Sequence, residues 1–218
     1  MGSLLRSLTT RWQSAAESLD SARDKEAAAG LPRRASLGLE QFLPAVTEVG
    51  HAAVLDLGCV WQATVSVFTG AGCKLYTEDL FAAFHQLRAA GGPEAPPLAE
   101  RFFAGALQYP EGTFRGILAW DLFDYLPEEL TPPLAARLCG LLEPGGVFLG
   151  LFHNRPENVR FLRYRVLDRR TLELVPGTLP LRVERVYPNR ALLNLFGAFR
   201  SSRTFVGRDN LRELLLVK

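Results

Sequence analysis

The sequence predicts a doubly wound α/β fold: a mostly parallel sheet with helices on both faces, N-terminal helices before it and a C-terminal cap of antiparallel strands after it. Three observations predict it. Short apolar runs alternate with helical spacing between residues 51 and 152. The last of those runs is apolar throughout, as a strand covered on both faces must be. Beyond Pro156 the pattern breaks into short alternating segments, which suit antiparallel pairing. The 218 residues are expected to form one domain, with N-terminal helices over 1–50, a ligand-binding core over 51–152, and cap and closing strands over 153–218.

Each element has its own signal. The first 29 residues are rich in Ala, Leu, Glu and Arg, and Leu4, Leu8, Trp12 and Ala15 follow a helical stripe that stops at Gly30-Leu-Pro32. A second helix is expected over Leu37–Val49, kinked or split at Pro44. Ala52–Leu57 reads as a buried strand, Trp61–Thr69 as a helix, Lys74–Thr77 as a strand and Leu80–Ala90 as a helix. Arg101–Phe103 is a weakly marked third strand, and Phe114–Trp120 a strong fourth. Pro132–Leu142 carries proline in its first turn, and Glu143–Gly146 turns into a fifth strand over Val147–Phe152. In the last third, Phe161–Leu167, Thr171–Val175 and Leu181–Val186 read as strands and Arg190–Phe196 as a helix. Phe199–Val206 and Leu211–Val217 read as a closing pair.

Composition narrows the function. No apolar run approaches the roughly 20 residues that span a bilayer, and the first residues lack the apolar segment and cleavage site of a signal peptide. Cys59, Cys73 and Cys139 are odd in number, far apart and flanked by apolar residues, which suits reduced thiols in a cytoplasmic protein. Three scattered histidines argue against a zinc cluster. Net charge is only +2, but residues 155–208 hold twelve arginines against four carboxylates, about +8, so the remainder is acidic. Phe161-Leu-Arg-Tyr-Arg-Val-Leu-Asp-Arg-Arg170 alternates charge with apolar side chains. As a strand it presents one cationic face, either merely solvated or fit for an acidic partner. Aromatic and basic residues do not interleave as a nucleic-acid site requires.

In open α/β sheets, ligands sit beyond the carboxyl ends of the strands. That places Asp56-Leu-Gly-Cys-Val-Trp-Gln62, Glu78-Asp79, Trp120-Asp-Leu-Phe-Asp-Tyr125 and His153-Asn154 around one crevice. Each has a plainer reading. Asp56 serves a tight turn, Asp79 caps a helix, Asp121 caps the next turn, and a lone His153 is a satisfied buried residue. Asp121 and Asp124, three apart, share a face on a helical turn, with Tyr125 beside them.

Val54-Leu-Asp-Leu-Gly58, Asp79 lying 23 residues beyond Asp56, Tyr109–Asp121 and Leu142-Glu-Pro-Gly-Gly-Val147 occur in order. Together they resemble the class I S-adenosylmethionine-dependent methyltransferases, over roughly residues 50–152. The resemblance implies a Rossmann-like core and S-adenosylmethionine as cofactor. It assigns Asp56, Gly58, Cys59, Glu78 and Asp79 to the cofactor, with Asp79 on the ribose hydroxyls. Asp121, Asp124, Tyr125 and His153 would face a small-molecule or protein acceptor, under a cap that includes Tyr187-Pro-Asn-Arg190. Departures stand beside it. Val60 and Gln62 replace two glycines of the cofactor loop, Phe103 falls near an expected acid, and Arg115 replaces a common Asp. Two expectations follow: methyl transfer, which rests mainly on holding the nucleophile in line with an activated carbon, or a catalytically inactive module that docks an acidic partner through the arginine-rich Arg155–Arg208 face.

Overall fold

The computed structural model describes residues 30–218, except 49, 91, 93, 158 and 208. The expected first helix, with its Trp12 stripe, lies outside the described residues. The chain enters through β1 (Arg33–Ala35), a strand with no counterpart in the sequence reading, and turns into α1 (Leu37–Thr47). Ser36 caps that helix, its hydroxyl accepting from the Leu39 N–H at 3.0 Å. Leu39, Phe42 and Val46 form the buried stripe. Pro44 does not split the helix, because it stands in the last turns, where Glu48 N–H still closes onto the Pro44 carbonyl.

The alternation that follows is as read: β2 (Ala53–Asp56), α2 (Gln62–Gly70), β3 (Lys74–Thr77) and α3 (Leu80–Ala89). The expected third strand is not there. Arg101–Phe103 lies in α4 (Leu98–Gly105), with Phe102 buried while Arg101 donates to the Pro96 and Leu87 carbonyls, an amphipathic helical turn and not a strand. Next come β4 (Phe114–Trp120), the short α5 (Leu122–Tyr125), α6 (Thr131–Leu141) and β5 (Leu142–His153), which absorbs the expected turn at 143–146. The last part holds β6 (Leu162–Val166), β7 (Thr171–Pro176), α7 (Asn189–Leu195), β8 (Ser201–Val206) and β9 (Leu211–Val217). Leu181–Val186 is not a strand: the amides of Glu184 and Arg185 both bond the Asp124 carbonyl, so no strand partner claims them.

Strand order in the main sheet is β3-β2-β4-β5-β9-β8. The first four are parallel, and β9 and β8 add antiparallel at the edge. Both faces of β5 are covered. Leu149 meets α1 near Gly38, and Phe148 packs against Phe123, Phe196 and Phe199. Gly116 on β4 lies directly under α1, where a Cβ would fall 2.5 Å from Val46. Strands β1-β7-β6 form a second sheet, not hydrogen-bonded strand to strand with the main one. Strand β6 hangs from it beside α2, the Val166 amide bonding Thr64 Oγ1 at 3.0 Å. No helix among the described residues is long and apolar enough to cross a membrane.

Candidate functional site

The chain order reverses between β2 and β4, with β3 to one side and β5 to the other, so the crevice outside their carboxyl ends is the topological switch point. In this structure that crevice is bridged by the protein itself. A register shift after Leu118 ends β4 irregularly, and Trp120 adopts a positive φ of 50°. The bulge throws the indole over the end of β2. There Trp120 Nε1 donates to Asp56 Oδ1 at 2.6 Å, and the same oxygen accepts from Gly58 N–H at 2.9 Å. Gly58 is glycine for a reason visible here: a Cβ would stand 2.8 Å from the indole nitrogen. The tight turn after β2 therefore accommodates a side chain of the same molecule.

Strand β6 completes the closure. Tyr164 stacks on Trp120 with centroids 5.3 Å apart and planes 12° from parallel, and its hydroxyl donates to Asp121 Oδ2 at 2.9 Å. Arg163 Nη1 reaches Asp79 Oδ1 at 2.8 Å, across Phe81 and Phe161. Asp79 also caps α3, the same oxygen accepting from Ala82 N–H at 3.0 Å. The carboxylate expected to meet ribose hydroxyls is thus taken up by a cap and a guanidinium. Asp56, Trp120 and Tyr164 are buried to 3% exposure or less.

Asp121, Asp124, Tyr125 and His153 do come together, as their spacing predicts. Asp124 Oδ2 accepts from both the backbone N–H and Nδ1 of His153, at 2.6 and 2.9 Å. His153 Nε2 stands 3.9 Å from Asp121 Oδ2. Nδ1 is therefore engaged by Asp124, while Nε2 faces Asp121 beyond hydrogen-bond distance. Tyr125, buried against Phe81, Phe161 and His153, is held protonated by burial, which pushes its phenol far up, with Asp121 and Asp124 adding to it. One oxygen of each aspartate, and the Tyr125 hydroxyl, have no hydrogen-bond partner among the described residues.

Of the remaining sequence candidates, Glu78 has structural employment. Glu78 Oε1 accepts from Leu107 N–H at 2.8 Å, holding a residue of positive φ. Cys59 is half-buried, and Val60 and Gln62 do not block the crevice as their bulk predicts. Val60 is 40% exposed, and Gln62 bonds Ser66 on the surface of α2. The obstruction comes from Trp120, Tyr164 and Arg163, which sequence reading missed. Its one available signal was a bulky aromatic at the carboxyl end of the fourth strand. The single cationic face expected of β6 is corrected too, because its arginines are internal. Arg163 pairs with Asp79, and Arg165 pairs with Glu173 at 2.8 Å and lies over Trp61.

Burial leaves a titration signature. Asp56 and Asp121 are both pushed up to about 7 by desolvation, and Asp124, Glu78 and Glu213 are raised for the same reason. A carboxyl that holds its proton more tightly when folded stabilises the fold fully below its unfolded pKa, and that contribution is lost as pH rises through the folded value. Exposed Glu128 and Asp168 move the other way and titrate below this window. The urea midpoint is therefore expected to fall between about pH 5 and about pH 7.5, less steeply in Asp56→Asn. A midpoint that climbs across that interval contradicts the burial of these groups.

Solved structures with this architecture share a pattern. The chain resembles a TehB-like S-adenosylmethionine-dependent methyltransferase from Corynebacterium glutamicum, at 15% identity over 94% of this chain and 99% of that one, TM-score 0.50. It resembles an S-adenosylmethionine-dependent methyltransferase from Archaeoglobus fulgidus at 11% identity over 83% and 91%, TM-score 0.50. A Pyrococcus horikoshii protein aligns at 12% over 83% and 87%, TM-score 0.51. No protein-family profile and no curated protein matches the chain. At such identities the likeness is one of fold: this is the Rossmann-like fold of class I S-adenosylmethionine-dependent methyltransferases.

Proposed function

We propose that this methyltransferase-fold chain acts as a binding module whose cofactor crevice is closed by its own side chains. The observation that carries the reading is the Trp120–Asp56 hydrogen bond across the switch point, sealed by Tyr164 and by the Arg163–Asp79 pair. S-adenosylmethionine, the group the fold implies, does not fit the crevice as these side chains stand. Its ribose would compete with Arg163 for Asp79, and the space over Gly58 holds an indole. The surface left for a partner is cationic in part: Arg155, Arg160, Arg169, Arg182, Arg190 and Arg200 are exposed. An acidic ligand or protein suits that surface, and its binding should weaken as salt rises.

A second reading has its own support. The Asp79–Arg163 contact joins partly exposed side chains, 25% and 12%, so its rupture does not require the sheets to separate. If β6 yields and the Trp120 indole swings off Gly58, Asp56, Gly58, Cys59, Glu78 and Asp79 are the residues that would line the cofactor. Asp121, Asp124, Tyr125 and His153 would then stand on the acceptor side, for methyl transfer to a small molecule or protein. Calorimetric titration with S-adenosylhomocysteine separates the two. The closed module gives no binding heat at millimolar ligand, in the native chain or in Arg163→Ala. Saturable binding that Asp79→Ala abolishes would establish the cofactor site and overturn the first reading. Binding only after Arg163→Ala would assign β6 as a removable cover over a competent site.

A further inference from the structure

A second opening lies on the other side of His153. A cavity of about 1230 Å³ is bounded by the carboxyl end of β5, the start of β9 and the β6–β7 hairpin. It is distinct from the switch-point crevice, because none of Asp56, Gly58, Asp79 or Trp120 lines it. Its rim is built. Asn154 N–H bonds the Asn210 carbonyl at 2.8 Å, and Asn210 Nδ2 returns to the Arg155 carbonyl at 2.7 Å, clipping the loop after β5 to the turn before β9. Leu162, Leu174 and the buried Leu211 supply an apolar wall.

Charge decides what fits. Arg155 and Arg160 stand exposed on that rim, and among the described residues neither has an ion-pair partner. Arg33, Arg34, Arg88, Arg163, Arg165 and Arg185 meet carboxylates, so these guanidiniums are not available to a ligand as Arg155 and Arg160 are. Of the two acids on the lining, Asp209 is already bound by Arg34 at 3.1 Å, which leaves Glu157 alone against two guanidiniums. A planar guanidinium recognises a carboxylate through paired N–H donors, and the leucine wall takes apolar surface from water.

We infer that this cavity is a binding site for an amphiphilic carboxylate, its head on Arg155 and Arg160 and its apolar body against Leu162, Leu174 and Leu211. The site shares His153 with the acceptor-side residues but none of the cofactor residues, so it stands whichever way the S-adenosylhomocysteine titration falls. Octanoate is the probe, with octyltrimethylammonium as the charge-reversed control and inorganic phosphate as a head without a body. Calorimetry on the full chain is expected to show saturable octanoate binding in the millimolar range or tighter, weakened about tenfold or more by the paired substitution Arg155→Ala/Arg160→Ala. Both residues are exposed loop positions outside the core, and an unchanged unfolding midpoint shows that the variant folds. Phosphate should bind more weakly than octanoate, and the cationic control not at all. The inference is overturned if octanoate gives no saturable heat, if the ammonium binds equally well, or if the double variant binds octanoate as the native chain does.

Discussion

Replacing Trp120 by alanine is expected to destabilise the fold by about 4 kcal/mol, in the range for emptying a buried aromatic site. The cost has three sources. A ring that is 2% exposed leaves a void between Gly58 and Tyr164. The stacking contact with Tyr164 is lost. Asp56 loses one of its two donors while remaining buried. Trp120→Phe keeps most of the volume and removes only the N–H, and should cost about 1–2 kcal/mol. Urea unfolding checks both, with the midpoint falling and the slope unchanged if the native state merely loosens. The result also bears on function. A tryptophan kept for contact with a ligand in an open crevice would be nearly dispensable for stability, so a loss below about 1 kcal/mol would remove the physical basis for the closed module.

Glu213→Ala should have an effect of similar size, from the other side of β5, where Glu213 pairs with Leu151 while Trp120 pairs with Gly150. Glu213 on β9 is 2% exposed. Its Oε1 takes Arg34 Nη2 at 2.9 Å, and its Oε2 takes the Ser36 hydroxyl at 2.9 Å and the Gly38 amide. One carboxyl thus fastens the first strand, the cap of α1 and the last strand together. Alanine leaves the Arg34 guanidinium, 8% exposed, with Asp209 alone and orphans the Ser36 and Gly38 donors, a loss of about 4 kcal/mol. Glu213→Gln tests the share carried by charge. Burial raises the Glu213 pKa, so an isosteric amide that keeps an acceptor for Ser36 and Gly38 should lose less than half as much. Equal losses for Ala and Gln would show that the ion pair with Arg34, rather than the hydrogen-bonded cap, carries the contact.

The two substitutions divide the molecule along the line between what a sequence shows and what it hides. Trp120 was legible as the end of a strand, because Phe114–Trp120 is an apolar run followed by an acid. Its positive φ and its reach onto Asp56 come from a bulge that no local pattern announces. Glu213 sits beside Arg212 in a strand that is otherwise apolar and carried no signal at all, since its partners lie more than 170 residues away. Arg101–Phe103 was misread because three residues cannot distinguish the two periodicities, whereas Leu98–Gly105 as a whole places Phe102 inward as a helix does.

The sequence by itself determined the alternation that builds β2, β3, β4 and β5 and the gathering of Asp56, Asp79, Asp121, Asp124 and His153 at the carboxyl ends of the strands. Apolar periodicity is local, and parallel connections leave few topologies open. Only the tertiary structure decided that the crevice among those residues is shut, because Arg163 and Tyr164 arrive there on a strand 84 residues beyond Asp79 and 43 beyond Asp121. Long-range charge pairing and stacking depend on where a second sheet settles, and alternation along β6 specifies two faces without saying what either will meet.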